Sequence, residues 1–206
     1  MMVNALAKTV KADPSIIAHR ISGKWDPSAT NFDDLLSEAS GNMDHSKPYP
    51  FYLAYAIEST PEDLGEPHEW QAEWKWDGIR GQVIKRNDEL FVWSRGEELM
   101  TDKFPEYEVL KDALPNGTVL DGEIMPFRKD DVRESLLHSN VSILPFALLQ
   151  TRIGRKNVTK KQLQEAPVAF FAYDLLEYKG EDIRYKTMSE RRTLLEQIVN
   201  DTHLTT

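Results

Sequence analysis

The sequence of 206 residues contains no cysteine, which excludes disulfide bonds, zinc–thiolate sites and cysteine nucleophiles. It has no apolar run long enough to span a bilayer, and its first residues lack the apolar core and cleavage site of a signal peptide. These absences predict a cytoplasmic protein without a membrane partner. Hydrophobic residues make up 40% and charged residues 29%, a composition typical of a globular chain.

The sequence has too little positive charge to bind nucleic acid through bulk attraction alone. Its 25 lysines and arginines are outnumbered by 34 aspartates and glutamates, giving a formal net charge of −9. One basic stretch, TRIGRKNVTKK at 151–161, contains no acidic residue. A charge run is most often a solvated loop, so this stretch indicates nucleic-acid contacts only if another feature indicates a nucleic-acid enzyme.

Metal-ligand patterns are absent as well. The five histidines, at positions 19, 45, 68, 138 and 203, have no spacing typical of a metal site, so we expect them to be structural or surface residues. The tryptophans at positions 70, 74, 76 and 93 are expected to lie mainly in the core.

Helical patterns dominate the first 48 residues. One helix is predicted to begin at Asp13-Pro14, and a second is predicted over 32–39. The polar, proline-bearing stretch 40–50 is typical of a linker, which places a domain boundary near Pro48.

Strand patterns appear after this boundary. The dipeptide Asn87-Asp88 predicts a β-hairpin between its flanking apolar runs, and Thr159 to Gln162 forms a helix-capping box. The predicted strands are 71–76, 79–86, 89–94, 118–125 and 168–175, and the predicted helices include 102–114 and 189–199. Strands and helices do not alternate regularly, so we predict an α+β fold.

The most informative segment is EWKWDGIR at 73–80. A lysine that ends a strand at a glycine turn can act as a nucleophile if its amine is uncharged. Burial of Lys75 between Trp74 and Trp76 would favour the uncharged form. Gly78 permits a sharp turn or close approach to a ligand. On these residues alone, a strand lysine in an ion pair is the more common explanation.

Five segments, in order, resemble the motifs of the covalent nucleotidyltransferases, the superfamily of DNA ligases, RNA ligases and mRNA capping enzymes. Lys75-Trp76-Asp77-Gly78 resembles the K-x-D-G nucleophile motif of that superfamily. The other four are SRG at 94–96, LDGE at 120–123, FFAYDLL at 170–176 and ERRTLLE at 190–196. The last of these and the stretch 145–156 are similar to bacterial ATP-dependent DNA ligases that carry an N-terminal DNA-binding domain.

The resemblance implies a reaction for this chain. Lys75 would attack the α-phosphorus of ATP to form lysyl-AMP, and AMP would then pass to a DNA 5′-phosphate. Asp77 would act when the 3′-hydroxyl seals the nick. Arg152, Arg155 and Lys156 would contact the nicked double-stranded DNA. Such sealing serves DNA repair, replication or recombination.

The resemblance also implies a nucleotide site. Glu73 would read the adenine, and Tyr173 would stack on its face. Glu123 would hold the ribose hydroxyls and lie close to Mg²⁺. Arg80 and Arg95 would steady the ribose and phosphates.

The implied fold is a partial ATP-grasp-like nucleotidyltransferase (adenylation) domain with antiparallel sheets. Residues 1–48 would be the C-terminal part of a helical DNA-binding domain plus a linker, and residues 49–206 the N-terminal part of the adenylation domain. The family pattern continues with an acidic E-G motif, a K-x-K motif and an OB-fold, which this sequence does not contain. We therefore expect a fragment whose partner is the missing C-terminal half of the same enzyme.

Other interpretations stay open at this stage. An RNA ligase or a capping-type nucleotidyltransferase shares the first motifs and would differ in the nucleotide it transfers. A non-catalytic remnant could retain only nucleotide or DNA binding. An unrelated α+β binding domain would require all five motif matches to be coincidental.

Overall fold

The computed structural model of the chain describes residues 2–12, 17, 21, 28–29, 31–33, 45–128 and 143–202. In chain order its elements are α1 (Met2–Val10), β1 (Ile79–Arg86), β2 (Glu89–Ser94), α2 (Val109–Ala113), β3 (Thr118–Pro126), α3 (Phe146–Ile153), α4 (Lys160–Glu165), β4 (Val168–Tyr178), β5 (Glu181–Asp182) and α5 (Met188–Asp201). Most of the two helices predicted within 13–39 lies outside the described residues. No helix in the described ranges has the length and apolar character needed to cross a bilayer.

The strands form one antiparallel sheet in the order β2-β1-β3-β4-β5. This confirms the predicted α+β class and the predicted hairpin. Asn87 and Asp88 have φ angles of 51° and 59°. Two consecutive left-handed residues are what a two-residue hairpin turn requires, because their twist matches that of the flanking strands.

The two faces of the sheet differ in character because successive side chains of a strand point to opposite sides. On one face, Val83, Leu120 and Leu175 from adjacent strands pack with the helices in the main core. On the other face, β1 contributes Arg80 and Gln82, which alternate with the residues of the core face. This second face carries a smaller apolar cluster of Ile84, Trp93, Val119 and Leu176, and it is polar around Arg80 and Gln82. We call it the polar face, because its polar part carries the candidate site described below.

The segment 45–50 lies across part of the polar face. Gln82 accepts a hydrogen bond from the Tyr49 N–H at 2.8 Å and donates one to its carbonyl at 3.0 Å. The Tyr49 hydroxyl donates to Glu177 at 2.8 Å, and Trp93 donates to the Ser46 carbonyl at 2.6 Å. The described end of the predicted linker is therefore packed against the sheet.

Two predicted elements differ from the structure. The helix predicted over 102–114 is divided into 3₁₀ turns at Thr101–Lys103 and Pro105–Glu108, followed by α2. Pro105 lacks an N–H and disfavours helical geometry at the preceding residue, and Phe104 has φ −129° and ψ 59°. The strand predicted over 71–76 is irregular, because no strand in the described ranges pairs with it.

The tryptophans also differ in part from the expectation. Trp93 is buried, but Trp70 and Trp74 are largely exposed. Both exposed rings lie within residues 52–78, which contain two 3₁₀ turns (Pro61–Leu64 and Pro67–Glu69) but no strand, and whose side chains are mostly exposed.

The structure corrects the predicted role of Arg152. Its side chain is 1% exposed, and its guanidinium makes five hydrogen bonds to protein groups. Two of them join the Glu106 carboxylate, at 2.6 and 2.5 Å, and the others join the carbonyls of Lys103 and Ala166. A buried guanidinium with these partners has no donor left for DNA phosphate, so Arg152 is a structural residue.

Replacing Arg152 with alanine should lower the free energy of unfolding by about 3 kcal/mol, because it leaves Glu106 and two carbonyls without their partner. Arg155→Ala, which removes an exposed side chain, should change it by less than about 0.5 kcal/mol. Urea denaturation followed by circular dichroism measures both values. Equal stabilities of the two variants would contradict the structural role of Arg152.

Candidate active site

An open cleft of about 730 Å³ lies on the polar face, between the sheet and the segment that precedes β1. Residues from all of the first four sequence motifs line it. Those predicted to bind nucleotide or to react are Glu73, Lys75, Asp77, Arg80, Arg95, Glu123 and Tyr173. The structure therefore brings together side chains that are as much as 100 positions apart in the sequence (173 − 73).

Lys75 lies at the rim of this cleft. Its side chain is exposed, so the expected burial between Trp74 and Trp76 is wrong. Trp74 is 82% exposed, while Trp76 turns inward and packs on Phe171 of β4, with 5.4 Å between ring centroids. No hydrogen bond or ion pair in the described part of the chain engages the Lys75 amine. The amine is therefore available to a ligand in the cleft.

The backbone at Gly78 fixes the Lys75 segment to β3. The Gly78 N–H donates to Glu123 Oε1 at 3.1 Å. A Cβ atom at position 78 would lie 2.4 Å from the Ile124 carbonyl oxygen and 2.6 Å from Met125 Sδ. Glycine is needed here because only a residue without a side chain can approach the strand this closely.

Glu123 is the acid at the centre of the site. Burial raises the pKa of its carboxyl, while the Gly78 hydrogen bond and the positive charges of Arg80, Lys75 and Arg95 oppose that effect. Three cations thus act on one carboxylate. This arrangement is suited to a polyanionic ligand that would share the same cations.

Arg80 is held in place by a residue of the LDGE motif to which the sequence analysis assigned no role. Asp121 lies on β3 opposite Gln82, and its carboxylate accepts from Arg80 Nε at 3.3 Å and Nη2 at 3.0 Å. Burial raises the pKa of the Asp121 carboxyl, and the bond to Arg80 counteracts that rise. Its position in the D-G-E motif was the available signal, since that aspartate shares a strand face with Glu123.

Aromatic rings enclose the Arg80 guanidinium. Its central carbon lies 5.7 Å from the Phe51 ring centroid and 5.8 Å from that of Tyr173. Burial raises the pKa of the Tyr173 hydroxyl, which lies 3.5 Å from Asp121 Oδ1 and so remains a donor. Tyr173 therefore offers the cleft a flat ring whose orientation is set by the Arg80–Asp121 pair.

The basic stretch continues from the cleft. Ile153, the last residue of α3, lines the cleft, and the exposed Arg155 and Lys156 follow it. The Lys103 amine donates to the carbonyls of both residues at 2.9 Å, which fixes the turn that carries them. Cations on this turn add positive potential to the surface beside the cleft.

Metal ligands are few in this site. No group of three or more histidines, aspartates or glutamates in the described ranges is arranged to hold a metal ion. Glu123 and Asp77 are the carboxylates among the predicted site residues that remain without an ion pair within those ranges. Such a sparse set suits Mg²⁺, which is commonly held by one or two carboxylates together with substrate phosphates.

Comparison with known proteins agrees with the motif order. A family model described as the ATP dependent DNA ligase domain matches residues 51–205. The chain belongs to this family. A probable DNA ligase of Koribacter versatilis is 33% identical over 168 residues, which is 82% of this chain and 27% of that protein. A probable DNA ligase of Sorangium cellulosum is 30% identical, over 97% of this chain and 37% of that protein.

Among solved structures, the ligase domain from M. tuberculosis LigD is 28% identical, with a TM-score of 0.48 over 65% of this chain and 38% of that chain. The chain spans well under half the length of the two related ligases of Koribacter versatilis and Sorangium cellulosum. The described fold is one antiparallel sheet of an ATP-dependent DNA ligase adenylation domain with its associated helices.

The Gly78→Ala variant should have a free energy of unfolding about 2 kcal/mol below that of the parent chain, because the methyl group collides with β3 and breaks the bond to Glu123. Gly96→Ala is the matched control in the same cleft, since a Cβ there meets nothing closer than Ser94 Oγ at 3.6 Å. Urea titration compares the two variants. A loss of similar size in both would argue against the close approach at Gly78.

Proposed function

We propose that Lys75 is the residue that carries AMP in this ligase domain, and that the whole protein seals nicks in double-stranded DNA. The observation that supports this proposal is the convergence of Lys75, Glu123, Arg80 and Arg95 on one cleft. The amine borders a cleft that Arg80 and Arg95 also line, and its volume of about 730 Å³ is large enough for a nucleotide. The family name supplies the nucleotide class, an adenosine triphosphate.

In the first step, the Lys75 amine attacks the α-phosphorus of ATP and loses a proton, while the bond to the β-phosphate breaks and pyrophosphate leaves. Positioning and charge neutralisation matter more than acid–base chemistry in such a transfer. Arg80 and Arg95 supply that charge beside the phosphates. Tyr173 supplies a stacking surface for the base, and Glu73 an acceptor for its amino group.

In the later steps, an oxygen of a DNA 5′-phosphate attacks the lysyl-AMP phosphorus and the phosphorus–nitrogen bond breaks. The 3′-hydroxyl of the nick then attacks the activated 5′-phosphate, and AMP leaves. Asp77 lies beside Lys75 on the exposed rim, where it can orient that hydroxyl. Mg²⁺ would be held by Glu123 and phosphate oxygens, and it would neutralise the charge that develops on the leaving group.

The proposed arrangement of the parent protein follows from the motif pattern. Residues 49–206 would belong to an ATP-grasp-like adenylation domain, and residues 1–48 to the end of a helical DNA-binding domain and its linker. The remaining adenylation motifs and an OB-fold would be supplied by the rest of the enzyme. The chain spans 27% and 37% of two related ligases, which supports this arrangement. The enzyme would act in the cytoplasm.

The first test measures the intact mass of the purified chain after incubation with ATP and Mg²⁺. We expect a gain of one AMP in the parent chain and none in Lys75→Ala, with slow transfer because further charged motifs would belong to the rest of the enzyme. Lys156→Ala serves as the control, since its charge is removed outside the cleft. A parent chain that never gains AMP would reject catalysis by these residues and favour a remnant that only binds.

We also propose that the turn at 154–157 contacts DNA phosphates. Replacing both Arg155 and Lys156 with alanine should weaken binding to a nicked duplex about tenfold at moderate salt, because two phosphate contacts are lost. The variant should also have a shallower dependence of log affinity on log salt concentration. Fluorescence anisotropy measures both quantities, with Lys179→Ala, on the β4–β5 turn, as a control for the loss of a positive charge elsewhere on the surface. Identical salt slopes for variant and parent would reject this contact.

A further inference from the structure

We propose that Arg192, on α5, is a positioning residue that orients the Glu73 carboxylate toward the nucleotide base. This inference rests on the proposed nucleotide site and adds a residue to it. Arg192 Nη1 lies 3.7 Å from Glu73 Oε1, across the gap between α5 and the irregular segment before β1. The two side chains are 39% and 38% exposed, so both remain within reach of solvent and ligand.

Both protein contacts of Glu73 fall on the same oxygen. Oε1 faces Arg192 and also accepts from Gln71 Nε2 at 2.5 Å. Oε2 accepts no hydrogen bond within the described part of the chain, and the shortest approach of Arg192 is to Oε1. The carboxylate therefore has one oxygen turned to the protein and one free to accept a hydrogen bond in the cleft that Glu73 lines.

The segment that carries Glu73 has no secondary structure to fix it. Residues 70–77 pair with no strand, and Trp74 beside Glu73 is 82% exposed. The anchors of the segment are the Gly78–Glu123 bond, the Trp76–Phe171 contact and the Arg192–Glu73 pair. Of these three, only the Arg192 pair acts on Glu73 directly.

Helix α5 is itself firmly held, which makes it a suitable support. Arg191 donates from Nε to Asp174 Oδ1 at 2.8 Å and from Nη2 to Asp174 Oδ2 at 3.0 Å, which joins α5 to β4. The next residue, Arg192, is steadied by Glu196 one turn along the helix, at 2.8 Å. The consecutive arginines thus have separate tasks: Arg191 fixes the helix, and Arg192 extends from it to the Lys75 segment.

A free carboxylate oxygen in this position selects between purines. It accepts a hydrogen bond from an exocyclic amino group, such as that of adenine, and it repels a carbonyl oxygen at the same place. Because Arg192 holds Oε1, the Glu73 carboxylate cannot rotate freely, and Oε2 keeps the orientation that accepts this hydrogen bond. Removal of Arg192 should therefore affect the choice of base more than the transfer of AMP.

The test compares equilibrium binding of ATP and inosine triphosphate by calorimetry. All variants carry Lys75→Ala, so that binding is not followed by covalent transfer. We expect the parent to bind ATP more tightly than inosine triphosphate. In Arg192→Ala the ratio of the two affinities should fall about threefold, which is the effect of a partly exposed ion pair. Arg192→Lys should retain most of it. Lys161→Ala, whose exposed amine pairs with Glu165 on α4, controls for the loss of one positive charge.

Circular dichroism establishes that each variant keeps its helix and sheet content. A preference for ATP in Arg192→Ala that equals that of the parent would overturn the inference. A parent that binds neither nucleotide would instead reject the proposed nucleotide site. A second measurement then tests the proximity of Arg192 and Glu73, on which the inference depends, without any ligand.

The absence of cysteine makes that second measurement simple. A chain with Glu73→Cys and Arg192→Cys should be joined by a short bifunctional maleimide, as seen in its intact mass and peptide map. The control is Glu73→Cys with Asp201→Cys, which moves the second thiol about 13 Å along α5. Cross-linking of the first pair alone supports the proximity, and failure to link it, or equal linking of both pairs, overturns the inference.

Discussion

The hydrogen bond between the Gly78 N–H and Glu123 joins the sheet to the segment that carries Lys75. One part is an ordered sheet whose strands pair along their length, and the other is an irregular segment with little buried surface. The bond links the segment of Lys75 to the strand that carries Glu123. Without it, the position of Lys75 would depend on the Trp76 ring and one partly exposed ion pair.

The sheet itself was largely predictable from the sequence, because its signals are local. The bounds of β1 and β2 match the predicted hairpin, since the turn residues and alternating side chains lie within a few positions of each other. The capping box predicted at Thr159 marks the start of α4 for the same reason. The site residues were identified by motif resemblance, and their convergence on one cleft required the fold.

The features that could not be predicted from the sequence depend on contacts between residues that are far apart in the chain. Arg152 looks like its basic neighbours in sequence, but Glu106, which is 46 positions away, binds it in the interior. The segment 71–76 has a strand-like composition, yet a strand forms only where a partner supplies hydrogen bonds. Asp121 shares its motif with Glu123, and its hold on Arg80 becomes visible only when β1 and β3 are paired in register.

The segment 45–50 has a consequence for where this folding unit begins. It covers the part of the polar face that lies outside the cleft. Its backbone forms hydrogen bonds with Gln82, and its Tyr49 hydroxyl donates to Glu177. The family match starts at residue 51. A chain cut at that point would expose these buried polar groups to water and uncover Trp93. The folded unit around the sheet therefore begins before residue 51, where the match to the family model starts.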